Sequence, residues 1–158
     1  MVENSLITTS IRNWNEQNMR LRTLVEKLTA EQLQNEIAPG RNTGVYLVGH
    51  FVAINYNIVT LFGLGQNPKP ELDDIFLFKP DKAVQHGYTA EVLKAMLYES
   101  IETLQEKFSA LTEADLLDRH TQVSAEDFLT QPHRNKINVL ISRTLHLAYH
   151  LGQLALLK

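Results

Sequence analysis

The 158-residue chain contains no cysteine. That excludes disulfides, a thiolate nucleophile and any cysteine-based metal or iron–sulfur site, and it leaves histidine as the only soft metal ligand. No charge of one sign predominates: 15 Lys and Arg stand against 18 Asp and Glu, for a formal net charge of −3. A protein whose main work is holding nucleic acid needs clustered cations to meet phosphate, and no run of like charge is present. A G-x-S-x-G nucleophile elbow and a glycine-rich phosphate loop are also missing. The longest apolar stretches read as broken by charge or amide before they reach bilayer-spanning length. Met1-Val2-Glu3-Asn4-Ser5 lacks the cationic start of a signal peptide. These features predict a soluble, cytoplasmic protein. The length predicts a single domain over 1–158, with enough chain to bury a core.

What the chain does have is helical periodicity. Ile7, Ile11, Trp14, Asn18, Leu21, Val25 and Leu28 recur at steps of four and three, the seam of a bundle helix. Thr29-Ala30-Glu31-Gln32 has the form of a capping box, which ends that helix near Leu28 and opens a short extra turn. Pro39-Gly40 breaks the chain, and Asn42 or Thr43 can cap a second helix over about 43–62, stopped by Gly63 and Gly65. Residues 66–88 carry Pro68, Pro70, Pro80 and Gly87 without a helical period, so they predict an ordered crossover lying over the bundle. Thr89 caps a third helix, with the seam Leu93, Leu97, Ile101, Leu104, Phe108 and Leu111. Thr112-Glu113-Ala114-Asp115 repeats the pattern at Thr29. A second connection, roughly 118–134, holds a short turn begun by Ser124, and a fourth helix fills about 135–157. No segment reads as a strand. Four amphipathic helices, with long connections between the second and third and between the third and fourth, predict an all-α four-helix bundle.

Histidine placement carries the chemistry. His146 and His150 stand four apart on the fourth helix, so their side chains stack about 40° apart on one face. Val139, Gln153 and Leu157 fall within roughly 20° of His146, and this mostly apolar stripe turns both rings inward. His50 sits mid-way along the second helix beside Tyr46, Leu47, Ile54 and Leu61. Three imidazoles on two inward faces can converge in the bundle interior. Each neutral ring brings a donor and an acceptor, so burial without partners is costly. A divalent ion taking one nitrogen from each ring, at about 2.0–2.1 Å, removes that cost and keeps a coordination position open. Zinc, nickel and iron(II) all suit imidazole. The same spacing also fits hydrogen-bonded core histidines without a metal, and spacing leaves the two readings open.

Other polar residues read more plainly. His86, His120 and His133 fall in connections and are expected to be solvated. Leu147 follows His146, so the H-E-x-x-H base of a metalloprotease is missing. Ser100 and Ser142 lie within helices, where bonding back to the main chain is expected. Glu99, Glu102 and Glu106 lie mainly off the third seam, on a solvated face. With Asn57 and Gln153 they are the candidates for orienting a ligating ring. No residue is assigned as catalytic.

Leu47-Val48-Gly49-His50, followed much later by His146-Leu147-Ala148-Tyr149-His150-Leu151-Gly152-Gln153-Leu154, resembles the DinB/YfiT-like superfamily. The likeness covers nearly the whole chain, including the Pro39-Gly40 break and the near-terminal fourth helix. It implies a bundle in up-down-down-up order, whose parallel second-to-third step needs a crossover such as 66–88. It also implies a metal site carried by His50, His146 and His150, and frequent homodimerisation. Characterised relatives include thiol-dependent transferases and isomerases that use low-molecular-weight thiols such as bacillithiol or mycothiol. Members often carry an acidic residue directly after the first histidine of the fourth helix and an arginine directly after the second. Here those positions are Leu147 and Leu151.

The leading expectation is therefore a metal-dependent thiol S-transferase acting on small electrophilic molecules. The open metal position takes a thiol and stabilises its thiolate, which attacks the electrophile without a protein nucleophile. Two alternatives are a hydrolase using metal-bound hydroxide and a non-enzymatic metal-binding stress-response protein whose ion contributes only folding energy. The expected partners are a small-molecule substrate, a thiol cosubstrate and a second copy of the chain, with neither nucleic acid nor membrane.

Overall fold

Side-chain oxygens that meet the unpaired amides of a first turn set most of the helix starts. The computed structural model describes residues 6–158, so the opening pentapeptide behind the signal-peptide reading lies outside the described residues. Helix α1 (Leu6–Lys27) gives way to α2 (Ala30–Gln34) through a reciprocal cap. The Thr29 hydroxyl accepts from the Gln32 amide at 3.1 Å, while Gln32 Oε1 accepts from the Thr29 amide at 2.9 Å. Thr43 caps α3 (Gly44–Leu61), and Gly63 ends it at φ 71°, a left-handed conformation that glycine adopts without a steric cost. After α4 (Glu71–Asp73), Thr89 caps α5 (Ala90–Ser109) and Thr112 caps α6 (Glu113–Leu117). Ser124 caps α7 (Ala125–Thr130), and Asn135 caps α8 (Lys136–Leu154), which tightens into a final 3-10 turn, Ala155–Leu157. Among the described residues no strand forms; two isolated bridges, Glu36 to Thr43 and Arg119 to Asn135, hold the chain where it enters α3 and α8.

The four long helices form a helical bundle, with α3 packed mainly on α5 and α1 mainly on α8. Contacts between α3 and α5 advance together: Asn55 donates to Ser100 Oγ at 2.9 Å, and Lys107 donates to the Leu64 carbonyl just past α3 at 3.1 Å. Those between α1 and α5 run oppositely, from Trp14 against Phe108, through Arg22 with Glu102, to Lys94 with the Leu28 carbonyl. Trp14, Leu21, Val25 and Leu28 are buried as the first seam expects, and Leu93, Leu97, Leu104 and Phe108 as the third expects.

Two expectations need correction. Helix α3 carries no charged residue, and by length and composition alone Gly44–Leu61 is apolar enough to cross a membrane. Its 18-residue span is 72% buried inside the bundle, so here the apolarity belongs to a central helix surrounded by other helices. The 66–88 crossover also contains helix: α4 runs on into a π-type turn, Asp74–Phe78. Leu72 and Phe76, four apart, form a face only one turn long, too short to register as a period, and both are fully buried. Gly49 makes room for this turn. A Cβ there would lie 2.5 Å from the Phe76 ring, closer than carbon atoms pack. Tyr46, whose hydroxyl donates to the Lys79 carbonyl at 2.8 Å, ties the turn's end to α3.

Candidate metal centre

Three rings from two helices meet at one point. His50 comes from the middle of α3, and its Nδ1 lies 2.7 Å from the Phe76 carbonyl of the π-type turn. A carbonyl only accepts, so His50 carries its proton on Nδ1 and presents Nε2 as a lone pair. His150 on α8 repeats this device within its own helix, with Nδ1 2.6 Å from Gln153 Oε1. Its Nε2 is likewise a lone pair. His146, one turn before His150, places Nε2 2.9 Å from His150 Nε2 and 3.4 Å from His50 Nε2. The three ligand atoms all lie within 4.8 Å of one another.

Proton counting shows what this arrangement lacks. A single proton on His146 Nε2 can serve His150, which leaves the His50 lone pair without a donor. One cation can accept all three lone pairs. Nitrogen atoms bound tetrahedrally at about 2.0–2.1 Å stand about 3.4 Å from one another; the His50–His146 spacing matches this, and the 2.9 Å between His146 and His150 would open by about 0.5 Å. The donor set and its geometry are therefore compatible with a divalent ion held by His50, His146 and His150. Electrostatics keep the rings in the ligating form: burial pushes His50 down to about 4 against the opposing Phe76 carbonyl. Burial, reinforced by the neighbouring His150, His50 and Arg143, pushes His146 down to about 4 as well. At neutral pH both are uncharged, with lone pairs free.

All three histidines are half-buried, at the edge of the bundle and not sealed inside it. His50 and His146 line a cavity of about 310 Å³ whose polar wall they share with Asn57, Gln122 and Arg143 and whose apolar wall is Ile54, Leu61, Leu77 and Phe78. No carboxylate lines it among the described residues. A larger cavity, about 420 Å³, lies between α3 and α5 around Asn55, Tyr56, Ser100 and Lys107, away from the histidines. Chemistry, not size, marks the candidate site.

Of the residues considered for orienting a ring, Gln153 contacts one. Asn57 lines the cavity but donates to Asp73 Oδ1 at 2.8 Å, and Glu102 pairs with Arg22 on the far side of α5. Ser100 bonds back to the Leu97 carbonyl as expected and also accepts from Asn55. His133 and His86 are exposed, the latter with its ring 5.0 Å from that of Phe76. His120 departs from the solvated reading. Its connection folds onto the end of α3, where the Thr121 amide donates to the Leu61 carbonyl at 2.9 Å. That leaves His120 half-buried, its Nδ1 without a hydrogen-bond partner, in the wall of an adjoining cavity. Two features escaped the reading of the sequence. The Phe76 carbonyl is main chain and has no residue-type signature, although a glycine directly before His50 hints at close approach. Arg143 sits one turn before His146 on the same helix, a spacing that could have flagged it.

The family model described as the DinB superfamily matches residues 13–154. A crystal structure described as a conserved protein from Enterococcus faecalis resembles this one with a TM-score of 0.54 at 14% identity, over 96% of this chain and 98% of that chain. At that identity the likeness is one of fold. No curated protein matches the chain.

Proposed function

The chain belongs to the DinB superfamily, and on that premise we propose that it is a metal-dependent thiol S-transferase acting on small electrophilic molecules. The observation that carries this reading is the convergence of three imidazole Nε2 atoms, two of them held as lone pairs by the Phe76 carbonyl and Gln153. A divalent ion held there supplies the positive charge that favours the thiolate form of a thiol cosubstrate. The walls of the cavity suit this chemistry. Among the described residues they offer neither a carboxylate to take a proton from water nor, in a chain without cysteine, a thiolate nucleophile. An external thiol made acidic at the site needs neither, and this ranks thiol transfer above hydrolysis. Ile54, Leu61, Leu77 and Phe78 form an apolar wall against which the body of the electrophile packs. Asn57 and Gln122 offer amide groups to the polar part of a substrate.

The test is elemental analysis of untagged wild type beside a His50→Ala, His146→Ala double mutant. We expect about one metal per chain in the first and none in the second. Metal-loaded protein would then be given monochlorobimane with cysteine, bacillithiol or mycothiol in turn, and conjugation followed by fluorescence. Equal metal in both proteins would refute the histidine site. Metal confined to the wild type, with no thiol conjugated faster than by the double mutant, would refute the transferase reading alone.

A further inference from the structure

Arg143 is the unexplained charge beside the three histidines. It lines the 310 Å³ cavity together with His50 and His146, and the adjoining cavity of about 230 Å³ together with His120 and Gln122. Its side chain is half-buried, and burial lowers its pKa with nothing to offset the loss of water. Among the described residues the ion pairs all use other cations, and none makes a hydrogen bond with the Arg143 side chain. A guanidinium partly withdrawn from water and without a protein acceptor has its donors open to the cavity, and an anion there would meet them.

We propose that Arg143 binds the carboxylate of the substrate, so that the electrophiles taken at this site are small carboxylic acids with an apolar body. This deepens the transferase reading and rests on it for the chemistry, though not for the binding. Three observations select a carboxylate. Among the described residues Arg143 is the only side chain with a formal charge in the cavity lining, and without the ion a single guanidinium matches a single negative charge, whereas a phosphate dianion calls for more. The planar fork of the guanidinium fits two carboxylate oxygens side by side. The rest of the wall divides between amides and the apolar group Ile54, Leu61, Leu77 and Phe78, against which a short hydrocarbon or aromatic body packs. A volume near 310 Å³ lies at the lower end of the range for small-molecule sites and suits a compact acid.

The experiment uses benzoate as the probe, benzamide as its neutral isostere and inorganic phosphate as the competing anion. Binding is followed by NMR titration, with the protein as purified and again after chelation. Benzoate should bind in both states, on the order of tenfold tighter than benzamide or phosphate. Arg143→Gln should reduce benzoate to the benzamide level, and Arg143→Lys, which keeps the charge but loses the fork, should bind it less tightly than wild type. Equal binding of benzoate and benzamide would overturn the proposal, as would phosphate binding as tight as benzoate. Wild-type affinity in Arg143→Lys would do the same and serves if Arg143→Gln does not fold. Benzoate bound only before chelation and unaffected by Arg143→Gln would overturn the role of Arg143 while the metal reading stands. Arginine-dependent binding in a protein that never holds metal would support the carboxylate site and refute the metal reading instead.

Discussion

Gly49→Ala tests how the fold builds the centre. In a helix interior, exchanging glycine for alanine ordinarily stabilises by roughly 0.8–1 kcal/mol. At Gly49 the added methyl would lie 2.5–2.6 Å from three atoms of the Phe76 ring, about 1 Å inside normal carbon contact. Phe76 is fully buried and cannot swing into solvent, so the ring and its main chain must shift. Overpacking of this kind costs about 1–3 kcal/mol, which cancels or outweighs the propensity gain and leaves a net loss of up to about 2 kcal/mol. For a chain of this size that lowers the melting temperature by up to roughly 8 °C. The same shift moves the carbonyl that orients His50, and losing such support typically costs about 10–100-fold in metal affinity. Gly152→Ala makes the same chemical change on α8, where the methyl meets nothing within 4 Å, and it should stabilise by up to about 1 kcal/mol. Urea denaturation of the chelated proteins, paired with a zinc competition titration, measures both effects. If Gly49→Ala matched Gly152→Ala in stability and kept wild-type zinc affinity, the link from Gly49 through Phe76 to His50 would be wrong.

Other predictions address the ligands and pH. His150→Ala should lose most metal affinity yet keep a helical circular dichroism spectrum, because Leu147 and Leu154, which pack α8 into the core, remain; full metal occupancy would contradict the assignment. Gln153→Ala removes the acceptor for His150 Nδ1 and should weaken zinc binding by about tenfold with little change in unfolding midpoint. An unchanged titration would show that this bond does not prepare the ligand. The chelated protein should be destabilised by acid. His50 and His146 titrate near 4 when folded against 6.5 as the ordinary value, so the unfolded chain takes up protons first. Their contribution is complete above about 6.5 and is lost as pH falls toward about 4. Urea midpoints that rise on acidification through that window would refute the sign.

Much of the fold was legible because helix ends are decided locally. Thr29, Thr43, Thr89, Thr112, Ser124 and Asn135 each cap by accepting from an amide three residues on, an interaction no distant residue is needed to make. The shared face of His146 and His150 follows equally from the helical repeat, and so does the inward turn of His50. The burial of α3 was partly legible, but composition alone does not separate its uncharged run from a membrane span; the packing around it does.

The sequence by itself determined the helices, their caps and which faces carry histidine, because those depend on neighbours within a few residues. Only the tertiary structure decided that α3 and α8 bring the rings within ligand distance, since that depends on how two helices far apart in the chain pack. It alone decided that the Phe76 carbonyl reaches His50, because a main-chain oxygen has no residue-type signature and its position depends on the space left at Gly49. It alone decided that no carboxylate among the described residues pairs with Arg143, because that depends on every element packed around it.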